Sequence, residues 1–341
     1  MTTYSQTLTS HGDILANIPG ILGFYPQDSL VLAFFKRNED SPQLSLSPLA
    51  RLDLDDAVET LVNNQAQFST WTDRLNTDAV IAYVVNADPS AADELAEFLL
   101  SDDSPLPTVL AIVQVPEITS GTGWWTVYQQ LNLSAPRSGV VGEIASSAAL
   151  QQMILDTGQL PALSREELEE RLNSTAHGID DAVYRDIIAD VEAYEDEIHF
   201  LRDDLQNEYE KATEGIADPT NTRAIRAALR CFTTPMLRDP LLAALLDESQ
   251  QGLVFAERLM RAVPRDWTRM RSQLTATVAV LAQAAGQTGL AGVAAHRATE
   301  LSDTENFPNL VDRAIRLGLG SKLITSVRQG AAHAHYLLFD A

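Results

Sequence analysis

Strand signals cease at Glu143, and that boundary constrains the fold more than any other feature of the chain. Leu30 to Phe35 is continuously apolar, as in a strand covered on both faces. Leu44 to Ser47 and Leu49 to Leu54 alternate and suggest a partner strand ending at Asp53. Ala79 to Val85 and Thr108 to Val115 are two further buried strands. Helical segments lie between them, one from Asp55 or Asp56 to about Leu75 and one from Ser90 to Leu100. Strands separated by helices of this length imply βαβ units and a partly parallel sheet. Gly121-Thr122-Gly123 then leads into Trp124 to Tyr128, a hairpin-like segment expected to add antiparallel strands at one edge.

The segment before the first strand reads as helix, corner and strand. Asp13 can cap a short apolar helix, Pro19 and Gly20 are expected to stop it, and Pro26 with Asp28-Ser29 turns the chain. After Glu143 the pattern is helical. Glu143 to Gly158 reads as one helix, and Ser164-Arg165-Glu166-Glu167 as a capping box. A very acidic helical stretch runs from about Ile179 to Gly215. Further helices are expected near 219–232, 235–248, 250–263, 266–285, 288–302, 307–318 and 321–335. Pro235, Pro240, Pro264 and Pro308 mark helix starts. Ala291, Gly292, Ala295 and Ala298 have the spacing that lets two helices approach closely, similar to a tetratricopeptide hairpin without its full repeat signature.

The fold class expected is therefore an α/β N-terminal domain over residues 1–160, with a mixed, partly parallel sheet. An all-α C-terminal helical domain follows over 161–341, with an acidic helix near 179–215 and a tetratricopeptide-like end.

Several stretches also carry a family resemblance. The opening Gly12 to Leu32, Arg51-Leu52-Asp53-Leu54, Gly123 to Tyr128 and the alanine-rich region from Val278 to Leu319 resemble the actinobacterial domain-of-unknown-function 4192 family. The chain departs from the family pattern after the tryptophan pair. Gln129 to Gly139 holds Pro136 and Gly139 but no cysteine, so thiol or metal chemistry at that turn is unsupported. The resemblance implies no activity, cofactor or site residue.

Charge narrows the partners. Residues 1–163 hold 19 acids and 5 bases, and 164–214 hold 17 acids and 5 bases. Residues 215–341 hold 11 acids and 14 bases, for a total of −23. Such a field opposes phosphate backbones, so a nucleic-acid partner is not expected. No apolar run approaches a membrane span, and Met1 to Gln6 lacks the regions of a signal peptide. With a single cysteine, Cys231, read as a core residue, these features point to the cytoplasm.

Asp28, Ser29, Arg51 and Asp53 sit at strand ends, where open α/β sheets place their ligands, and can meet only if the first two strands are antiparallel neighbours. An Arg51–Asp pair or an Asp turn cap explains them without any chemistry. Trp124 and Trp125 face opposite sides of a strand, so one can be core and the other a stacking surface, but both rings packing under the neighbouring elements is the expected reading. Arg258, Arg261, Arg265 and Arg269, with Arg271 close by, can dock on the acidic helix around 186–210, within the chain or between chains, or take a phosphate or acidic protein. Glu195, His199 and Asp203 share a helix face, but a solvated face is the expected reading and no metal site is assigned. No dinucleotide fingerprint, P-loop or nucleophile elbow is present, and no catalytic residue or cofactor is expected. The leading expectation is a cytosolic, non-catalytic binding or protein-interaction module, self-associating through its helical half. The alternative is a small-metabolite hydrolase-like enzyme with a pocket at the strand ends.

Overall fold

The computed structural model describes residues 10–37, 44–131, 133, 135–196 and 202–340. The chain forms two compact units, Met1–Arg165 and Glu166–Ala341.

The first unit is built on one sheet of β1 (Ser29–Arg37), β2 (Leu44–Asp53), β3 (Ala79–Val85), β4 (Thr108–Val115), β5 (Gly123–Gln129) and β6 (Ser138–Val140). Their order across the sheet is β2-β1-β3-β4-β5-β6. Among the described strands, β3 and β4 pair in parallel and the other neighbours are antiparallel. The mixed, partly parallel sheet follows from the connections: α4 (Ala91–Leu99) carries the chain over from β3 to β4, two helices within residues 57–75 carry it from β2 to β3, and shorter links join the rest. Residue parity then splits the core. Val31, Ala33, Tyr83, Val113 and Trp124 face one layer with α1 (His11–Leu22) and α5 (Ala148–Thr157). Leu30, Leu32, Phe34, Val84 and Ile112 face the other, with α2 (Ala57–Asn63), α3 (Gln65–Leu75) and α4. Both faces of the central strands are covered, which is why their sequences read as continuous apolar runs.

Local signals placed some ends differently. The span expected as one helix to Leu75 breaks at Asn64, between α2 and α3. Glu143 to Gly158 is a short 3-10 turn at Ile144–Ser146 followed by α5, because Ser147 caps Leu150 N–H and starts a new helix. Ser10, not Asp13, is the N-cap of α1. Its hydroxyl accepts from Asp13 N–H at 3.2 Å, while the Asp13 carboxylate accepts from Ser10 N–H at 3.1 Å. The helix also runs through Pro19 and Gly20 and ends at Gly23, whose φ of 78° and N–H to Pro19 O bond (2.8 Å) make the stop.

Gly20 has a different task. A Cβ there would lie 2.3 Å from Leu150 N and 2.5 Å from Ala149 C, so its missing side chain lets α1 cross the start of α5. Asn17 seals the same crossing, its Oδ1 accepting from Ala149 N–H at 2.9 Å. Gly20→Ala is expected to cost about 2–3 kcal/mol, because backbone atoms must part. A shifted urea midpoint would register it, and an unchanged midpoint would show that the helices separate freely.

The second unit is all-helical: α6 (Arg165–Asn173, whose first residue closes the first unit), α7 (Asp181–Asp196), α8 (Arg202–Ala217), α9 (Thr222–Thr233), α10 (Pro235–Asp247), α11 (Ser249–Ala262), α12 (Thr268–Ala284), α13 (Thr288–Leu301), α14 (Asn306–Arg316) and α15 (Gly320–His335). Within the acidic stretch, the described residues form two helices, α7 and α8. Pro235 opens α10 as a first-turn proline should, but Pro240 lies inside that helix, buried by its neighbours. Ala291, Ala295 and Ala298 are buried, and Ser272 Oγ donates to Ala298 O at 2.7 Å, so α12 and α13 approach closely there. Gly292 is not part of that approach, since a Cβ on it would meet open space. No helix among the described residues is long and apolar enough to cross a membrane.

Candidate functional site

The antiparallel register of β1 and β2 sets Ser29 opposite Asp53 and Val31 opposite Arg51, so the four strand-end residues do meet. Arg51 holds them. Its Nε donates to Ser29 Oγ at 2.8 Å, one Nη reaches Gln27 O at 3.5 Å, and the other pairs with Asp53 at 2.6 Å. Asp53 also takes Arg165 at 3.0 Å. Ser29 Oγ donates to Gln27 O at 2.5 Å, so the hydroxyl both donates and accepts. Asp28 has a left-handed φ of 43°, accepts from Asn86 Nδ2 at 2.8 Å, and its carbonyl receives Leu54 N–H. Gln114, wholly buried on β4, pins the loop after β3 by donating to Asn86 O and Asp88 O and accepting from Ala92 N–H. Two hydrogen bonds from Ser90, backbone and side-chain, lower the pKa of the Asp88 carboxyl. Every one of these bonds joins chain to chain, and the network reads as a brace for the sheet end.

The tryptophans do not join this group. Strands β1, β3 and β4 separate Asp53 from Trp125, four spacings or about 19 Å. Trp124 is buried at 3% exposure and Trp125, on the opposite face, is half-buried. Trp124 packs edge-on to His11 with ring centroids 5.1 Å apart, and a Cβ on Gly139 would lie 2.8 Å from its ring. His11 is itself 3% exposed, with Nδ1 3.1 Å from the hydroxyl of the fully buried Tyr83. Burial lowers its pKa from 6.5 to about 4 and raises that of Tyr83. Sequence reasoning missed this pair. The one available signal was a tyrosine in the middle of an otherwise aliphatic strand.

The arginines of the second unit are engaged elsewhere than expected. Arg258 donates to Gly178 O at 3.3 Å, Arg261 pairs with Glu257 at 3.1 Å, and Arg269 with Glu305 at 3.1 Å. Arg265 is exposed between α11 and α12. Within the chain, the acidic helix meets α9 instead: Asp186 pairs with Arg226 and Asp190 with Arg230. The Glu195–His199–Asp203 stripe falls outside the described side chains.

That pairing of α7 with α9 leaves a cavity of about 350 Å³, lined by Asp190 and Tyr194 of α7, Asp204, Asn207 and Glu208 of α8, and Arg230 of α9. Arg230 bridges two carboxylates, at 2.5 Å from Asp190 Oδ1 and 3.1 Å from Glu208 Oε2, and sits 5.0 Å from the Tyr194 ring centre. Lys211 takes Glu208 Oε1 at 3.1 Å. Asp190 Oδ2 is buried without a hydrogen bond, whereas Glu208 Oε2 is ion-paired with Arg230. Burial, then Cys231, Glu208 and Asp204, push the Tyr194 phenol up to about 12 against the opposing pull of Arg230. The lining comes from three helices and spans residues 190 to 230, a separation that no local spacing reveals.

A mixed α/β unit followed by a helical unit, with a polar cavity among the helices, is the class of protein these observations define. The chain belongs to the family described as Domain of unknown function (DUF4192), whose model matches residues 12–321. No match was found among curated proteins or among solved structures.

Proposed function

We propose that this protein is a non-catalytic binding module and that its binding site is the cavity between α7, α8 and α9. The observation that carries the reading is the convergence of three carboxylates, an amide and a tyrosine ring on one concavity. One buried carboxylate oxygen in that wall, Asp190 Oδ2, has no hydrogen bond and can accept one from a ligand. At the strand ends, by contrast, Ser29 and Arg51 are consumed by mutual bonds, which disfavours the hydrolase-like alternative there. A cytoplasmic setting suits the reading, since the single cysteine, Cys231, is buried and its thiol is pushed up by burial.

Native mass spectrometry of the intact protein after incubation with a dialysable metabolite extract tests this. A retained small-molecule adduct that is lost in Glu208→Gln and kept in Asp53→Asn is expected. Adducts that ignore Glu208→Gln, or no adduct at all, would overturn it.

A further inference from the structure

We infer that the arginines of α11, α12 and α13 around residues 172–178 form an anion site that takes a phosphoryl group of a small molecule. The site shares no residue with the cavity between α7, α8 and α9. Three helices each send a guanidinium to this short segment. Arg258 of α11 donates to Gly178 O at 3.3 Å, Arg271 of α12 to Leu172 O at 3.3 Å, and Arg297 of α13 to Asn173 Oδ1 at 3.0 Å. All three acceptors are neutral oxygens. The carboxylates nearby are already committed. Glu257, 5% exposed, is shared between Arg171 and Arg261, and Glu300 between Arg297 and His296. Asp180 accepts from Ala182 N–H and Val183 N–H at the start of α7. Asp266 follows Arg265 in sequence, and no ion pair joins the two among the described residues.

Two observations point to an anion from solution rather than to a solvated basic face. The first is the pairing pattern. Among the described residues, every other buried or half-buried arginine pairs with a carboxylate, whereas Arg258 and the 3% exposed Arg271 do not. In a chain of 47 acids and 24 bases a counter-charge is easily supplied, so two sheltered cations without one stand out. The second is a pair of idle donors. Arg258 Nε and Arg261 Nε are buried without an acceptor. A buried N–H in that state is costly, and an anion oxygen relieves the cost. Burial, then Arg265 and Arg297, lower the pKa of Arg271, so these cations lie close enough to repel one another. Arg265 is exposed and opens the group to solvent. Helix α12 begins three residues after it without a side-chain cap, and the first-turn N–H groups add partial positive charge. A phosphoryl group carries about two charges near pH 7 and accepts from several directions, which suits donors sent from separate helices.

The test is isothermal titration calorimetry of the full chain with inorganic phosphate and pyrophosphate, and with succinate as the carboxylate control. One site is expected for phosphate or pyrophosphate, with succinate about tenfold weaker or more. Arg258→Gln and Arg265→Gln are each expected to weaken the phosphate probe about tenfold, the loss of one charge-assisted hydrogen bond. The Arg265 side chain is exposed and makes no hydrogen bond or ion pair among the described residues. Its variant therefore decides the matter even where Arg258→Gln folds poorly. Arg137→Gln, which removes an exposed arginine of the α/β unit, is expected to change nothing. Three results would overturn the inference: no heat from either phosphate, succinate binding as tightly as they do, or wild-type affinity in Arg265→Gln. An equal loss in Arg137→Gln would overturn it as well, because total charge alone would then account for the binding. Glu208→Gln is expected to leave phosphate affinity unchanged, so this site and the acidic cavity stand or fall separately.

Discussion

Replacing Arg271 with methionine is expected to destabilise the helical unit by about 3 kcal/mol or more. Arg271 is 3% exposed, and its guanidinium spans two helix ends. One Nη donates to Met260 O (3.3 Å) and Val263 O (3.0 Å) at the end of α11, and the other to Leu172 O (3.3 Å) at the end of α6. No carboxylate contacts it among the described residues. Burial, then Arg265 and Arg297, lower its pKa, so the fold tolerates this cation for its donors rather than for its charge. Methionine restores apolar volume and removes the cost of burying charge. It also leaves the carbonyls at two helix ends without donors, which is the larger effect. Lysine is expected to rescue little, since a single ammonium cannot reproduce a planar fork serving both ends. Guanidinium chloride unfolding of the three proteins measures this, and a loss below about 1 kcal/mol for methionine would show that water replaces the guanidinium at those carbonyls.

The second large effect is expected from pH and lies in the α/β unit. His11 has a folded pKa of about 4 against 6.5 unfolded. Between these values the unfolded chain binds a proton that the folded chain refuses, so stability falls as pH drops from about 6.5 toward 4. Above that window this residue contributes no pH dependence. The difference of about 2.5 pH units corresponds to about 3 kcal/mol lost at the acid end. Protonation would also place an imidazolium at the N-terminus of α1, where the helix dipole opposes it, and against the Tyr83 hydroxyl and Trp124 ring in the core. Carboxylates titrate across the lower part of the same range, so the comparison with His11→Gln isolates the effect. The variant is expected to have a flatter stability profile from pH 6.5 to 4. Parallel profiles for the two proteins would mean that His11 is hydrated in solution.

The sequence disclosed what depends on near neighbours. The meeting of Ser29 with Asp53 was legible because a short connection between two strands allows only antiparallel pairing. The opposite fates of Trp124 and Trp125 follow from strand alternation. Helix spans from Thr222 to His335 were readable from period and punctuation because each buries a face against the next. What failed was whatever required a partner far along the chain. Gly20 reads as a helix stop until Leu150 is seen beside it, and Pro240 as a helix start until its burial is known. The arginines near 258–269 were matched to the acidic helix by charge alone. In the fold, Arg226 and Arg230 of α9 lie against that helix and take its aspartates. The cavity was hidden for the same reason: Asp190, Glu208 and Arg230 are unremarkable on their own helices and become a site only when three helices pack.

Hydrogen–deuterium exchange of the full chain, with and without the dialysable metabolite extract, tests where binding occurs. Binding in the helical cavity predicts slowed exchange in peptides covering 188–194 and 204–209, with residues 27–31, 51–56 and 86–90 unchanged. Protection at those strand-end segments, with α7 and α8 exchanging as before, would contradict it.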